Sequence, residues 1–391
     1  MALARPVGYS PDVEPPEPQF EESQQEVIDT ILEFERNSVR SEGGNRAVRF
    51  AHAKAYGLVR GVFEILDGIP PEYAQGVYAR PGTHDCLVRY SNGLSHLGAD
   101  RGLGKVVGMA TKVFGIEAET ALEDEPRTGT MDFNMINAPV FFCNTAAHYR
   151  FLARIFIDLP KYRAGGKKGN HQLFHDWVTG YGTLPPEDWA WDELGALLRV
   201  GMLARWQNLL LSSFWSMGAV RHGDHIAKLR IRPTEASAAA IGIRDLDPSG
   251  EAEVFRPALV EELARHGCEF DFQVQLCRSL EEMPIDDLTV EWPEDLSPFV
   301  TVARLRFPRQ DIGGDGNLAA ADGISITPWR CAAEHAPVGS IQRLRKEVYR
   351  RSSVERHRLN GQVRAEPDEA SDLLAPPSGA AHATTDEGGP S

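Results

Sequence analysis

Cysteine is scarce in this sequence, with five residues among 391. The cysteines are widely scattered and lack the short paired spacings typical of zinc sites and of disulfide-stabilised small domains. A fold built on metal or disulfide crosslinks is therefore disfavoured, and we expect reduced thiols with mainly structural roles. The five positions are Cys86, Cys143, Cys268, Cys277 and Cys331.

Basic residues and long apolar runs are also in short supply. Lysine and arginine number 41 against 56 acidic residues, and the formal net charge of -15 disfavours a nucleic-acid binder. The most apolar stretch, Ala196–Phe214, is interrupted by Arg199 and Arg205, so we predict no transmembrane helix. Residues 1–20 carry prolines and acids where a secretory signal needs a basic end and an apolar run, which favours a cytoplasmic protein.

The sequence has no glycine-rich phosphate loop, because Gly98–Gly104 lacks the Lys-Ser/Thr pair and the strand-then-helix context of such loops. Its composition is that of an ordinary globular protein, with 42% hydrophobic, 8% aromatic and 25% charged residues. We predict an extended N-terminal arm over residues 1–20 and a folded domain over 21–361. Residues 362–391, rich in small residues, proline and acids, are predicted to form a disordered tail.

Short β-type runs lie towards both ends of the chain and are separated by glycine, proline and aspartate turns. The predicted strands are Leu58–Ile65, Gly76–Ala79, Cys86–Tyr90, Val106–Phe114, Ile226–Ile231, Glu269–Leu276 and Phe299–Phe307. Helical spacing is found in Gln24–Arg36, in the middle segment Ala146–Leu211 and in Val338–Asn360. This order predicts an α+β fold, in which distant strands close an antiparallel barrel around a helical insertion.

Two of three candidate clusters lie on β-type or aromatic segments. His52 stands in the run Arg49–Gly57 among small residues, where it is either a general acid/base facing a ligand or a core histidine. The run Asp132–Phe142, followed by Tyr149, either belongs to an ordinary core or forms the wall of a flat apolar cofactor site. Neither cluster decides between its alternatives alone.

The third cluster lies on the predicted C-terminal helix. Offsets of four and seven put Arg345, Tyr349 and Arg356 on one helical face, so that two guanidinium groups can approach one phenol. Positive neighbours favour the phenolate form, which is a competent metal ligand. The alternative is a tyrosine half-buried in an amphipathic helix whose arginines lie in solvent.

Together and in this order, these clusters resemble the haem-pocket motifs of the catalase superfamily, and the resemblance spans residues 40 to 360. Further segments similar to that family's core are Phe272–Gln275 and Val290–Pro293. Pro328-Trp329 and Gly339–Arg343 make the likeness closer to the shorter bacterial catalase-like haem proteins. The motifs are Arg49-x-x-His52-Ala53-Lys54, Val88-Arg89-Tyr90-Ser91, Asn137-x-Pro139-Val140-Phe141-Phe142 and Arg345-x-x-x-Tyr349.

The resemblance implies an antiparallel eight-stranded β-barrel that holds haem b, with a C-terminal helix carrying the haem ligand. Tyr349 would ligate the iron and Arg345 would support its phenolate. His52 would move the peroxide proton, with Ser91 beside it. The resemblance further implies that Arg49, Arg89 and Arg356 meet the haem propionates, and that Phe141 and Tyr149 line the pocket or stack on the porphyrin.

The sequence departs from the family pattern at three places. The family's distal asparagine falls at Ile136, and Asn137, one position further on, is the candidate amide for that role. Arg351-Ser352 replaces an Asp-Thr pair, and the chain lacks a long extension after the C-terminal helix. We therefore expect a peroxidase rather than an efficient catalase, acting on hydrogen peroxide or an organic hydroperoxide with an unidentified reductant.

Two alternatives to a peroxidase remain open at this point. One is a haem-dependent lyase or isomerase of lipid hydroperoxides, similar to allene oxide synthases. The other is a non-enzymatic haem carrier or sensor. A homo-oligomer is compatible with each of the three.

Overall fold

The computed structural model describes residues 3–41, 45–122, 129–363 and 366–374. Within these ranges the strands belong to one antiparallel sheet. They are β1 (Ala55–Ile65), β2 (Gly82–Asn92), β3 (Val107–Phe114), β4 (Thr130–Ile136), β5 (Phe214–Ser216), β6 (Ala219–His222), β7 (His225–Pro233), β8 (Cys268–Leu276), β9 (Val300–Phe307) and β10 (Pro337–Val338).

The helices surround this sheet on several sides. They are α1 (Phe20–Ser41), α2 (Asp100–Leu103), α3 (Ala146–Ala164), α4 (Gly166–Thr179), α5 (Trp191–Leu203), α6 (Glu235–Ala240), α7 (Phe255–Arg265), α8 (Asp315–Gly323) and α9 (Ser340–Leu359). Short 3-10 turns lie at Pro11–Val13, Gly76–Ala79, Pro186–Asp188, Leu209–Leu211, Ala333–His335 and Ala370–Asp372. None of the helices in the described ranges is long and apolar enough to cross a membrane.

Eight of the described strands close into a barrel in the order β1, β2, β3, β4, β5, β7, β8, β9. The closing seam pairs β1 with β9, in the register Val62↔Arg306 to Ile65↔Ala303. β6 and β10 extend the sheet beside β7. The predicted α+β fold, an antiparallel eight-stranded barrel with a helical insertion and a C-terminal helix, is confirmed.

Aromatic side chains fill the barrel interior. Phe133 of β4 packs against Phe272 of β8, with ring centroids 4.9 Å apart, and Phe63 of β1 lies 5.2 Å from the same ring. These three residues come from distant parts of the chain, and their inward positions follow from the period-two alternation of strands. Their burial makes the two halves of the barrel one hydrophobic core.

The prediction of a strand over Gly76–Ala79 is wrong. This segment is a 3-10 turn that begins at a left-handed glycine, with Gly76 at φ +56°. A Cβ at this position would lie 2.2 Å from Nε2 of His335, so the turn needs both the conformational freedom and the small size of glycine. Tyr78 of the same turn points into the barrel and is buried.

Strand β4 was not predicted, and most of its residues on both faces are buried. Its inward residues Met131, Phe133 and Met135 belong to the barrel core. On the other face, the carboxylate of Asp132 accepts hydrogen bonds from Lys112 Nζ at 2.9 Å and from Arg330 Nη1 at 2.8 Å. The polar residues Thr130, Asp132 and Asn134 alternate with these apolar residues, which is the period-two pattern of a strand, and the sequence reasoning missed it.

Both chain ends pack on the barrel within the described ranges. In the predicted N-terminal arm, Val7 N donates to Cys277 O and Tyr9 N donates to Asp224 O, both at 2.8 Å. The prediction of disorder over 362–391 is wrong for residues 366–374, where Ala370 is buried and Glu366 pairs with Arg330 at 2.8 Å. Residues 364–365 and 375–391 lie outside the described residues.

Helices α1, α3 and α9 form a layer that packs over one side of the barrel. Its apolar contacts include Val27 and Ile31 of α1, Leu152 of α3 and Leu344 of α9. Ile136, at the end of β4, belongs to the same hydrophobic cluster. A cavity between this layer and the barrel wall contains the candidate site.

Candidate active site

The cavity between the barrel and the helix layer draws residues from all three sequence clusters. Its volume is about 200 Å³, and it opens to solvent. Nine of the ten predicted site residues line it, and Asn137 does not. The nine are Arg49, His52, Arg89, Ser91, Phe141, Tyr149, Arg345, Tyr349 and Arg356.

His52 lies on the barrel side of the cavity, in the loop that precedes β1. Its Nδ1 is 2.6 Å from Asn92 O and 3.1 Å from Ser91 Oγ. Since a carbonyl oxygen only accepts, Nδ1 carries the hydrogen and Nε2 is the acceptor. Burial, together with the charge of the nearby Arg89, lowers the pKa of His52 to about 4. The imidazole is therefore neutral at physiological pH and able to accept a proton.

The backbone holds this imidazole in an uncommon conformation. His52 has a φ of +58°, which side chains larger than glycine seldom adopt. Its carbonyl accepts a 2.9 Å hydrogen bond from Arg89 Nη2, and the next residue, Ala53, donates its N–H to Leu94 O. These bonds fix the strained loop, as is common where a functional side chain must be aimed at a site.

Gly108 of β3 makes room for the ring. A Cβ at this position would lie 2.5 Å from both Cε1 and Nδ1 of His52. Only glycine therefore allows the imidazole to lie against the strand and within reach of Ser91, which pairs with Gly108 in the sheet.

Tyr349 lies on the helix side, on α9. Its Oη accepts a 3.1 Å hydrogen bond from Arg345 Nη2 one turn earlier, and Arg345 Nη1 donates to Gln342 Oε1 at 2.6 Å. Gln342 is held in turn by the bond from its Nε2 to Ala219 O. The predicted offset of four residues thus brings a buried guanidinium to the phenol oxygen, which stabilises negative charge there.

Arg356 does not approach that phenol, as its spacing had allowed. Instead it joins Arg49 and Arg89 in a positive cluster around α8, where its Nη1 donates to Asp322 O at 3.1 Å. The Asp322 carboxylate lies 4.0 Å from Arg49 and 3.9 Å from Arg89, and Arg46 pairs with it at 2.7 Å.

This arginine cluster holds more positive than negative charge. Burial lowers the pKa of Arg49 well below its usual value, and the neighbouring Arg356 and Arg89 lower it further. The one other buried carboxyl nearby, within the described ranges, is Glu35, whose pKa burial raises to about 8. Asp322 alone does not balance these guanidinium groups, so the cluster suits an anionic ligand with carboxylates.

Aromatic and apolar side chains form the remaining wall. Phe141 and Phe142 stack with ring centroids 4.4 Å apart, and Phe142 contacts the buried Trp177 edge-on at 5.6 Å. Tyr149, near the beginning of α3, also lines the cavity, and burial raises the pKa of its phenol. This wall is neutral, aromatic and apolar, which suits a hydrophobic ligand.

Asn137 is turned away from the cavity. Its Oδ1 accepts from Val107 N at 2.9 Å and its Nδ2 donates to Lys105 O at 3.0 Å, so the amide joins the ends of β3 and β4. The residue that lines the cavity at this point is Ile136. The candidate catalytic amide of Asn137 is therefore corrected to a structural role in the sheet.

Three residues that line the cavity or hold its lining side chains were missed by the sequence reasoning. Asp322 forms an ion pair with Arg46 in the arginine cluster, Gln342 accepts a hydrogen bond from Arg345, and Asn134 of β4 lines the cavity. Gln342 precedes Arg345 by three residues, a helical offset that the sequence already displays. Asn134 stands two residues before Ile136, and would have been found on the same face once β4 was recognised as a strand.

Comparison with known proteins places the fold. No family model matches the chain, and no curated protein matches its sequence. Among solved structures, catalase A from Saccharomyces cerevisiae superposes with a TM-score of 0.60 and 16% identity over 93% of this chain and 70% of that one. The fold is catalase-like.

Other catalases agree with this result. A fungal catalase covers 96% of this chain and 66% of its own length, with a TM-score of 0.57 and 17% identity. A bacterial catalase covers 90% of this chain and 63% of its own, with a TM-score of 0.54 and 15% identity. The chain thus spans about two thirds of the length of these catalases. The resemblance inferred from the motifs is confirmed for the catalase-like fold, and its closeness to the short bacterial proteins stays a prediction.

Proposed function

We propose that this catalase-like protein is a haem-dependent oxidoreductase that consumes hydrogen peroxide or an organic hydroperoxide. The observation that supports this most is the pairing of two groups at one cavity. A neutral histidine, His52, approaches from the barrel side, and a phenol oxygen supported by a buried guanidinium, Tyr349 beside Arg345, approaches from the helix side. Haem-dependent cleavage of a peroxide needs at least a proton acceptor on one side of the site and an anionic metal ligand on the other.

The residues present fit haem b. Tyr349 Oη would hold the iron, with Arg345 supporting the phenolate. The cluster of Arg49, Arg89 and Arg356 would pair with the two propionates, which supply the negative charge that the cluster lacks. The aromatic and apolar wall that includes Phe141 suits the porphyrin. When bound, haem supplies the redox chemistry that cleaves an O–O bond.

His52 would manage the proton in this reaction. Its Nε2 would accept the proton of the hydroperoxide and return it to the oxygen that leaves as water or alcohol. Asn92 O and Ser91 Oγ, both at Nδ1, keep the ring in the tautomer that leaves Nε2 free to accept. As a peroxidase, the protein takes the two electrons of the overall reduction from a separate reductant.

A second candidate function is the rearrangement of an organic hydroperoxide without a reductant. It is favoured by the apolar part of the cavity lining, which includes Ile136, Phe50, Val106 and Phe156. Ile136 has no hydrogen-bonding group with which to orient a small peroxide, whereas its hydrocarbon surface stabilises an apolar substrate.

The experiment that tests the function starts with an absorption spectrum of the protein purified after haem supplementation. We expect a Soret band and consumption of hydroperoxide. Absence of the band contradicts the proposal as a whole. Product analysis with an organic hydroperoxide then separates the two candidates: a peroxidase requires an added electron donor and yields the alcohol, whereas a rearrangement proceeds without one. Haem-loaded protein that turns over neither substrate would be a carrier or sensor.

Ile136→Asn is expected to raise oxygen release from hydrogen peroxide by about 10- to 150-fold, because an amide at this position can hydrogen-bond the peroxide. A charge-assisted hydrogen bond made mainly in the transition state contributes about 1.5–3 kcal/mol. Oxygen evolution by the haem-loaded variant is the measurement.

Asn137→Ala is the matched control, because it removes the amide of the following residue, which lies outside the cavity. It should lower stability by about 1–3 kcal/mol through the lost strand-end bonds and leave oxygen release unchanged. The opposite pattern, with an inert Ile136→Asn and an inactive Asn137→Ala, would mean that Asn137 reaches the substrate.

A further inference from the structure

A second, smaller cavity lies beside Arg345 and is lined by residues from both faces of β4. Its volume is about 30 Å³, and Asn134, Met135 and Arg345 line both this cavity and the large one. Tyr78 and His222 line its inner end. Asn134 and Arg345 therefore stand between the candidate active site and the interior of the barrel.

Four buried polar atoms at this small cavity have no hydrogen-bond partner among the described residues. They are Tyr78 Oη, Asn134 Oδ1, His222 Nδ1 and Arg345 Nε. About 90% or more of buried polar groups in proteins are hydrogen-bonded, and leaving one without a partner lowers the stability of the fold by about 1–3 kcal/mol. Four such atoms around one cavity indicate a common partner inside it.

The hydrogen-bonding roles of these atoms are fixed by their surroundings. His222 Nε2 lies 2.8 Å from Tyr73 O, which only accepts, so Nε2 carries the hydrogen and Nδ1 accepts. Burial lowers the pKa of His222 to about 4 and keeps the ring neutral. Asn134 Oδ1 also accepts, Arg345 Nε donates, and Tyr78 Oη does either.

Water is the partner that fits both the roles and the space. A molecule that serves two acceptors, one donor and one hydroxyl must both donate and accept hydrogen bonds. A buried water needs about 10–15 Å³ and two to four polar partners, so a cavity of this size has room for about two. An ion of either sign would meet at least one group of the wrong polarity.

We propose that this cavity is a hydration site whose ordered waters join Arg345 Nε to Asn134 Oδ1, and that Asn134 thereby positions Arg345 beneath the Tyr349 phenol. The other two nitrogens of the guanidinium are already engaged, Nη1 by Gln342 and Nη2 by Tyr349. Holding Nε as well fixes the plane of the group, and with it the bond to the phenol oxygen. The effect on Tyr349 as a ligand rests on the proposed function, whereas the hydration site does not.

The first test is a crystal structure at a resolution that shows ordered water, with or without haem. We expect one or two waters in the cavity, within about 2.7–3.2 Å of both Arg345 Nε and Asn134 Oδ1. A cavity that is dry, or filled by a rearranged side chain, overturns the proposal.

The second test is Asn134→Leu, which keeps the approximate volume and removes the acceptor. We expect haem to be lost to a scavenger protein about 10-fold faster, the low end of the effect of groups that orient a metal ligand. The visible spectrum of the ferric protein should also shift. Asn134→Ser, which keeps an acceptor and admits one more water, should restore both properties.

Thr111→Val is the matched control. Thr111 Oγ1 is another buried atom without a partner among the described residues, but it lies on β3 and lines neither cavity. Equal effects of Thr111→Val and Asn134→Leu, or no effect of Asn134→Leu, refute the positioning role. Failure of the wild-type protein to bind haem refutes the proposed function instead, while the crystal structure still decides whether the cavity is hydrated.

Discussion

Tyr349→Phe is expected to fold like the wild type and to purify with little or no ferric haem. Phenylalanine retains the ring in the helix layer but removes the oxygen that Arg345 supports at 3.1 Å. A phenolate is an anionic ligand that favours ferric iron, and no other group of the side chain replaces it. The measurement is the ratio of Soret to protein absorbance after haem supplementation, with circular dichroism as the check on folding.

Tyr149→Phe is the matched control for this variant. Tyr149 lines the same cavity, but burial keeps its phenol neutral, and no guanidinium of the described residues donates a hydrogen bond to its hydroxyl. It should retain most of the haem. The haem content of Arg345→Ala should lie between those of Tyr349→Phe and Tyr149→Phe, because haem binds more weakly, and its absorption spectrum should be shifted. A Tyr349→Phe protein with full haem content and an unchanged spectrum would remove Tyr349 as the ligand.

His52→Ala is expected to bind haem normally and to react with peroxide about 10²- to 10⁴-fold more slowly, the usual contribution of a positioned general acid/base. The variant leaves the arginine cluster and Tyr349 untouched, so the loss should appear in the rate and not in haem content. Stopped-flow spectra on mixing with peroxide measure it. Ser91→Ala should have a much smaller effect, since Asn92 O still fixes Nδ1. An undiminished rate in His52→Ala would show that His52 is a core residue without a role in proton transfer.

The pKa of His52 also predicts how the reaction depends on pH. Burial lowers this pKa to about 4, so the neutral, proton-accepting form persists well below pH 7. The rate should stay flat from pH 7 to about pH 5 and fall as the pH approaches 4, where the ring becomes protonated. A fall centred near the ordinary histidine value of about 6.5 would place the ring in solvent.

Short-range patterns in the sequence predicted what local geometry controls. The alternation of Phe270, Phe272 and Val274 identified β8, and an offset of four residues on a helix brought Arg345 to Tyr349. The identity of His52 as a site residue came from the family motif, since its own spacing left a core histidine equally open. The left-handed backbone of His52, with φ +58°, and the position of Gly108 beneath its ring cannot be predicted from a single sequence.

Features that depend on distant partners were missed or misplaced. Arg356 has the right offset to reach Tyr349, but Asp322, on a helix that spacing does not link to α9, holds it elsewhere. Asn137 and Ile136 could not be separated, because a shift of one residue in a strand exchanges its faces, and only the observed pairing of Ile136 with Gly108 fixes which is which.

The closing seam between β1 and β9 has a consequence for synthesis on the ribosome. Residues 62–65 cannot form this pairing until residues 303–306 have been synthesised. At a translation rate of ~5–20 residues per second, these partners emerge on the order of tens of seconds later. The nascent chain therefore exposes an unpaired β1 edge through most of translation, with His52 just before it. Tyr349 follows still later, so the two sides of the cavity meet only once α9 has left the ribosome. Incorporation of haem should thus be a late event, and a chain truncated before α9 should contain none.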